Sequence, residues 1–214
     1  MEEEGESRPA VRQVAAELWI AARLTGALLV AAGVVFPAAL WVVSLAFPRQ
    51  AQGSLLRDRS DRVVGSAIIG QKFTKPEYFH SRPSAVAYDA AASGASNLGP
   101  TNPQLLRGNG GSYAGVIAYA AAYRAENGLS GDAPIPPDAA TASGSGLDPN
   151  ISPANAELQV ARVARARGLA SDVVRALVAS HTSARTLWFL GEPRVHVLAL
   201  NLALDSASAA RGPR

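Results

Sequence analysis

LTGALLVAAGVVFPAALWVVSLAF, residues 24–47, decides how the rest of the chain is read: no charged residue falls between Arg23 and Arg49. A helix rises about 1.5 Å per residue, so this stretch can cross about 30 Å of hydrocarbon with some tilt. Inside lipid each backbone N–H and C=O has to be satisfied within the segment, so a single span is helical. Pro37 removes one donor near the middle, which predicts a kink and not a break. Gly26 and Gly33, set among Ala27, Ala31, Ala32, Ala38 and Ala39, form a small-residue surface that lets another helix approach closely. A soluble core helix would carry a polar face, and this one has only Thr25 and Ser44. A cleavable signal has a shorter apolar region, and here Arg49 stands between that region and the only cut site, after Gly53. The stretch is read as a retained membrane anchor.

Charge leaves the orientation open. Arg8, Arg12 and Arg23 precede the span and Arg49, Arg57, Arg59 and Arg62 follow it, close to a tie. Residues 1–23 are read as a tail ahead of the span, its acidic start disordered and Ala10–Arg23 able to prolong the helix. Residues 54–205 are enough for one domain with its own core, and 206–214 for a frayed tail of small residues. The fold class expected is α+β: one N-terminal transmembrane helix followed by one mixed α/β domain. Net charge is +3, and Arg outnumbers Lys eighteen to two without any Arg cluster interleaved with aromatics, which argues against a nucleic-acid partner. The absence of cysteine excludes disulfides, thiolate nucleophiles and Cys-ligated zinc.

Within the domain, Val63–Ile69 is β-branched and bounded by glycine, as a strand is. Residues before Pro76 and Pro83 are biased away from helix, so 73–88 is an extended, folded-over loop. Residues 90–107 form a long loop rich in Gly, Ser and Asn, of the kind that binds something or packs as an Ω-loop. A helix is expected over Tyr113–Asn127, capped by Ser112 and stopped by Gly128. A short strand is expected near Ala139–Ala142. Ser152-Pro153 opens a helix that closes at Gly168, and Ser171 caps a second one to Ser180, with Arg162, Arg165 and Arg175 facing outward. Arg194–Val197 reads as a strand, while 198–204 stays open between strand and helix.

Chemistry is sparse. His80, His181 and His196 are far apart, and no His-x-x-x-His, Gly-x-Ser-x-Gly or phosphate-loop pattern is present. Gly108–Gly111 and Ser143–Gly146 are read as turns, because no Gly-Lys-Ser/Thr or helix start follows. His80 and Arg82 form the most suggestive polar pair. A guanidinium there could clamp a carboxylate and tune His80, but the preferred reading is a structural pair that satisfies loop carbonyls. Asp148 and Asn150 could be an acid and its partner, and are preferred as turn residues before the helix at Ser152. No catalytic residue, metal site or bound cofactor is assigned.

Several blocks are nonetheless recognisable together: GSAIIGQ at 65–71, FTKPEYFHSRPSA at 73–85, ASGASNLGPTNPQL at 92–105, TASGSGLDPNISPANAELQVARVARARGL at 141–169 and FLGEPRVHVLALNLALD at 189–205. In that order, after a single span with Thr25-Gly26 and Phe36-Pro37, they resemble the C subunit of the bacterial Kdp potassium-transporting ATPase. Pro83 and Asn97 lie inside those blocks and join Gly26, Gly33, Pro37, His80, Arg82 and Asp148 as structural or interface candidates. Three positions depart from the family's pattern: His196 where Asn is usual, Trp188 where glycine is common, and the Gly108–Gly111 interruption of a more helical segment.

The resemblance implies a non-catalytic accessory subunit of a plasma-membrane pump, beside a potassium-channel-like subunit and a P-type ATPase subunit. It implies an amino terminus inside and the domain outside the cytoplasm. It also implies a role in assembly and in raising the ATPase subunit's affinity for ATP, a nucleotide held at that partner or shared with it. A membrane-tethered extracytoplasmic hydrolase and a stand-alone sensor or ligand-binding module are the competing readings.

Overall fold

The computed structural model describes residues 7–111 and 113–209. The chain divides into two compact units, Met1–Gln52 and Gly53–Arg214. The acidic start and Ser112, the expected helix cap, lie outside the described residues.

The first unit is a long apolar helix: α1 (Ser7–Val30), a π-helical turn (Ala31–Val35) and α2 (Phe36–Ser44), followed by the short α3 (Pro48–Ala51). Residues Val11–Ser44 are long and apolar enough to cross a membrane, and none of the span's core is buried within the chain. What composition marks as a tail before Arg23 is therefore helical from Ser7 onward. The π-turn answers Pro37. Its ring excludes the carbonyl four residues back and it brings no N–H, so the preceding turn widens and Phe36 N–H reaches Ala31 O, five residues back. The helix passes its proline unbroken, with Val35 and Phe36 both in right-handed helical geometry. Ser44 Oγ donates to Trp41 O at 2.7 Å, which satisfies that hydroxyl without leaving the helix.

The second unit opens with a hairpin, β1 (Leu55–Arg57) against β2 (Val63–Ser66), antiparallel with Leu55 opposite Ser66. Asp58 closes it by accepting from Ser60 N and Arg62 N. After a long loop come α4 (Pro103–Arg107), α5 (Val116–Asn127) and α6 (Pro137–Ala140). Then follow β3 (Asn150–Ile151), α7 (Pro153–Arg167), α8 (Ser171–Ser180), β4 (Thr182–Ser183), β5 (Arg194–His196) and α9 (Val197–Ala209). The second sheet runs β3-β5-β4, antiparallel throughout. The unit is mixed α and β, as expected.

Ser152 caps α7 by accepting from Asn155 N, Pro153 takes the first position, and Gly168 ends the helix in the left-handed region. Gly128 ends α5 in the same way. Other expectations fail for local reasons. Helix α5 begins at Val116, because Gly115 adopts φ +90 with a Cβ position 2.3 Å from Gly108 N, a closure that only glycine permits. Residues 137–140 are a helical turn and not a strand, as Pro137 sits at its first position. Ser171 is the first residue of α8 and Ala170 its cap, with no side-chain bond. Residues 198–204 are helical, and α9 continues to Ala209, so 206–209 are not a frayed tail. His196 starts that helix: its Nδ1 accepts from Ala199 N at 3.1 Å, which leaves Nε2–H to donate to Ala67 O at 2.8 Å.

The core gathers Phe79, Ile151, Val160, Val163, Val174, Val195, Val197, Leu200 and Leu204 between α7, α8, α9 and β5. Burial of such side chains contributes about 1.5–3 kcal/mol each.

Candidate functional site

Segment 75–82, KPEYFHSR, which carries His80 and Arg82, lies across α7 and α9. That segment has no strand partner, so its backbone polar groups need other partners. Side chains supply them. Asn201 takes both groups of Phe79, with Phe79 N to Oδ1 at 2.9 Å and Nδ2 to Phe79 O at 3.0 Å. Gln159 does the same for His80, at 2.7 and 3.1 Å. Arg162 donates to Pro76 O and Tyr78 O, and Arg167 to Glu77 O. Together these amides and guanidiniums stand in for a neighbouring β-strand.

Arg162, expected to point outward, is only 6% exposed. Its remaining donors go to Asn127 Oδ1 at 3.0 Å and Gln159 Oε1 at 2.7 Å, and burial draws its pKa downward. Tyr123 adds a second layer, donating to Asn155 O and Oδ1, and burial pushes its phenol pKa up so that it stays a donor. Asn155, Gln159 and Arg162 lie at helical spacing beside the apolar positions 156, 160 and 163. That mixed stripe was the available signal for the network, and placing Arg162 outward missed it.

His80 and Arg82 do not pair with each other. His80 Nδ1 meets Glu126 Oε1 at 2.8 Å, and its Nε2 meets Lys75 O at 2.9 Å. The hydrogen bond from His80 holds the Glu126 carboxyl below its ordinary value of 4.5, against the opposing effect of burial. Arg82 Nη1 meets Asp148 Oδ2 at 3.1 Å, and Nη2 reaches Thr141 O at 3.4 Å, while Nε is buried without a partner. The carbonyl of Arg82 accepts from Tyr88 OH. Asp148 also turns the chain, its Oδ1 accepting from Asn150 N at 2.9 Å. Pro83 lies half-buried beside this pair, and Asn97 is an exposed turn residue at φ +54, a conformation Asn tolerates.

Arg82 and Asp148 line a cleft of about 400 Å³ with Asp138, Thr141, Glu192 and Arg194. Asp138, which the sequence reading passed over, accepts from Ser152 N, Ser152 Oγ and Asn155 Nδ2 at 2.7–3.0 Å. Its charge sits at the amino end of α7, where the helix dipole favours it. Each carboxylate of the cleft named here already accepts from the protein. Among the described residues no group of three or more His, Cys, Asp or Glu is placed to hold a metal ion. Ser143–Gly146 is a bend, docked through Gly94 N and Ser93 Oγ onto Ser145 O.

Gly26 and Gly33 lie in the other unit, seven residues apart, and a Cβ at either would meet nothing within 4 Å. The helix thus presents an open small-residue surface.

The model of the family described as K+-transporting ATPase, c chain, matches residues 18–206. The chain belongs to this family. It is 53% identical over 190 residues to the potassium-transporting ATPase KdpC subunit of Gemmatimonas aurantiaca, covering 87% of this chain and 90% of that one. The KdpC subunit of Gloeobacter violaceus is 48% identical over 190 residues, 88% and 95% of the two chains. That of Mycobacterium tuberculosis is 53% identical over 176 residues, 81% and 89%. The matched span takes in the uncharged stretch 24–47 and all of the strapped segment. His196, where the resemblance leads one to expect Asn, offers its Nδ1 as an acceptor to the first turn of α9.

Proposed function

We propose that the chain is a non-catalytic accessory subunit of an ATP-driven potassium uptake pump, holding the complex together and raising its ATPase subunit's affinity for ATP. The family match over residues 18–206 carries this reading. It is supported by a helix able to span a membrane, by its open small-residue surface, and by polar side chains spent on holding the fold. The helix packs on a partner subunit, with the amino terminus cytoplasmic and the domain from Ser54 onward outside.

With that topology the domain is separated from cytosolic ATP by the bilayer, so the effect on affinity is transmitted through the anchor. Such coupling requires the anchor to contact two states of its partner differently, and is typically about 1–3 kcal/mol.

The test of topology uses the exposed turn residue Ser130 in an otherwise cysteine-free chain. Ser130→Cys should react with an impermeant thiol reagent in intact spheroplasts, and labelling only after lysis would reverse the orientation. Co-purification of the tagged chain with the other pump subunits from potassium-starved cells tests the assembly role, and a chain recovered alone would favour the sensor reading.

A further inference from the structure

Between β4 and β5 the chain doubles back through a tight hairpin whose tip reads Leu187-Trp188-Phe189-Leu190. Thr186 and Leu190 exchange both backbone hydrogen bonds at 2.9 Å, so the tip is held in one shape. Its side chains are nevertheless out in the open: Trp188 is 89% exposed, Phe189 69%, Leu187 60% and Leu190 48%.

Two features argue that this composition is not incidental to the turn. Leu187 and Trp188 stand at φ +52 and +69, a region L-residues adopt only with strain and where a turn would ordinarily carry Gly or Asn. The residues at the base are polar, with Arg185 paired to Glu192 at 2.7 Å and Arg194 exposed. The apolar part is therefore a narrow, convex point with a polar collar.

A stable protein partner needs about 800 Å² from each side, which four residues at the end of a hairpin do not supply. A lipid surface makes no demand on shape. It accepts Trp and Phe at the headgroup level, with apolar side chains about 5–10 Å into the acyl boundary and cations outside. This chain has such a surface close at hand: Ser44 ends the apolar helix and the second unit begins at Gly53. A connection that short reaches at most about 30 Å even when fully extended.

We propose that the 187–190 tip is a second membrane contact, an interfacial anchor through which the domain rests on the lipid to which its helix tethers it. The chain carries three tryptophans, at 19, 41 and 188, so Trp19→Phe with Trp41→Phe leaves Trp188 as sole reporter. The full chain bearing both changes is reconstituted in phosphatidylcholine nanodiscs, with and without lipid brominated near the top of the acyl chains. Trp188 emission should shift to the blue and fall about two-fold with brominated lipid, as expected of an indole at the interface. Emission typical of water, unchanged by bromine and quenched freely by iodide, would overturn the proposal. So would shielding that appears only when the other pump subunits are added and leaves bromine without effect, since the occupant would then be protein. Phe189→Cys with a nitroxide label gives an independent depth reading, in which greater access to water-soluble nickel complex than to oxygen counts against lipid contact.

Discussion

Arg162 shows how much a single side chain settles. It contacts Pro76, Tyr78, Asn127 and Gln159 at once. Arg162→Met should leave several buried acceptors unpaired and cost about 3 kcal/mol, read as a lower midpoint of urea unfolding for the full chain in detergent. Arg162→Lys should recover little, because an ammonium has no fork to span those acceptors. Glu126 gives a pH signature. Its carboxyl is held below its unfolded value, chiefly by His80, so the stability it adds is complete above that value and is lost as pH falls through the depressed one. Glu126→Gln should therefore flatten the acid limb of the stability curve from about pH 5 downward while changing little of its slope near neutrality. An unaltered limb would mean that the His80 contact does not survive in solution.

Among elements, the membrane helix is the most exposed to test. Its π-turn amounts to one residue inserted ahead of Pro37. Pro37→Ala restores the missing donor, so the turn should relax to α-helix and rotate the two halves against each other by about 100°. Gly26 would then face elsewhere relative to Trp41, and recovery of the complex should fall while membrane insertion is kept. Gly33→Leu should lower recovery as well, by blocking close approach instead of rotating it. Equal recovery with both variants would mean that this surface faces lipid. Elements also show where the sequence could be read and where it could not. The span, the cap at Ser152 and the stops at Gly128 and Gly168 follow from rules that act over a few residues, and each was legible. The late start at Val116 depends on Gly115 pressed against Gly108, a contact made by folding. Arg162 read as a surface residue, and Gln159 and Asn201 carried no mark, because their partners lie 79 to 122 positions away. His80 and Arg82 stood out as polar residues but were read as partners of each other, and Glu126, which His80 meets instead, carried no local mark.

For the whole molecule, the question is where ATP acts. If the effect on affinity is transmitted through the anchor, the purified full chain should show no saturable ATP binding in the micromolar range. Ser145→Ala should leave the ATP dependence of the assembled pump unchanged, whereas Pro37→Ala should shift it within the roughly 5- to 150-fold range of ordinary coupling. Stoichiometric ATP binding by the chain alone would favour direct sharing of the nucleotide.

The strap across residues 75–82 also sets an order of events in time. Its fasteners on α7 follow the segment by 79 to 90 positions, and Asn201 by 122. A ribosome has delivered nearly the entire chain before the last of them exists. Contacts of such long sequence separation are closed late, because their loop entropy has to be met before they return anything. A nascent chain arrested before Asn201 should keep this segment open to protease, and one released at full length should close it. That segment thus stays threadable until its last fastener has been made.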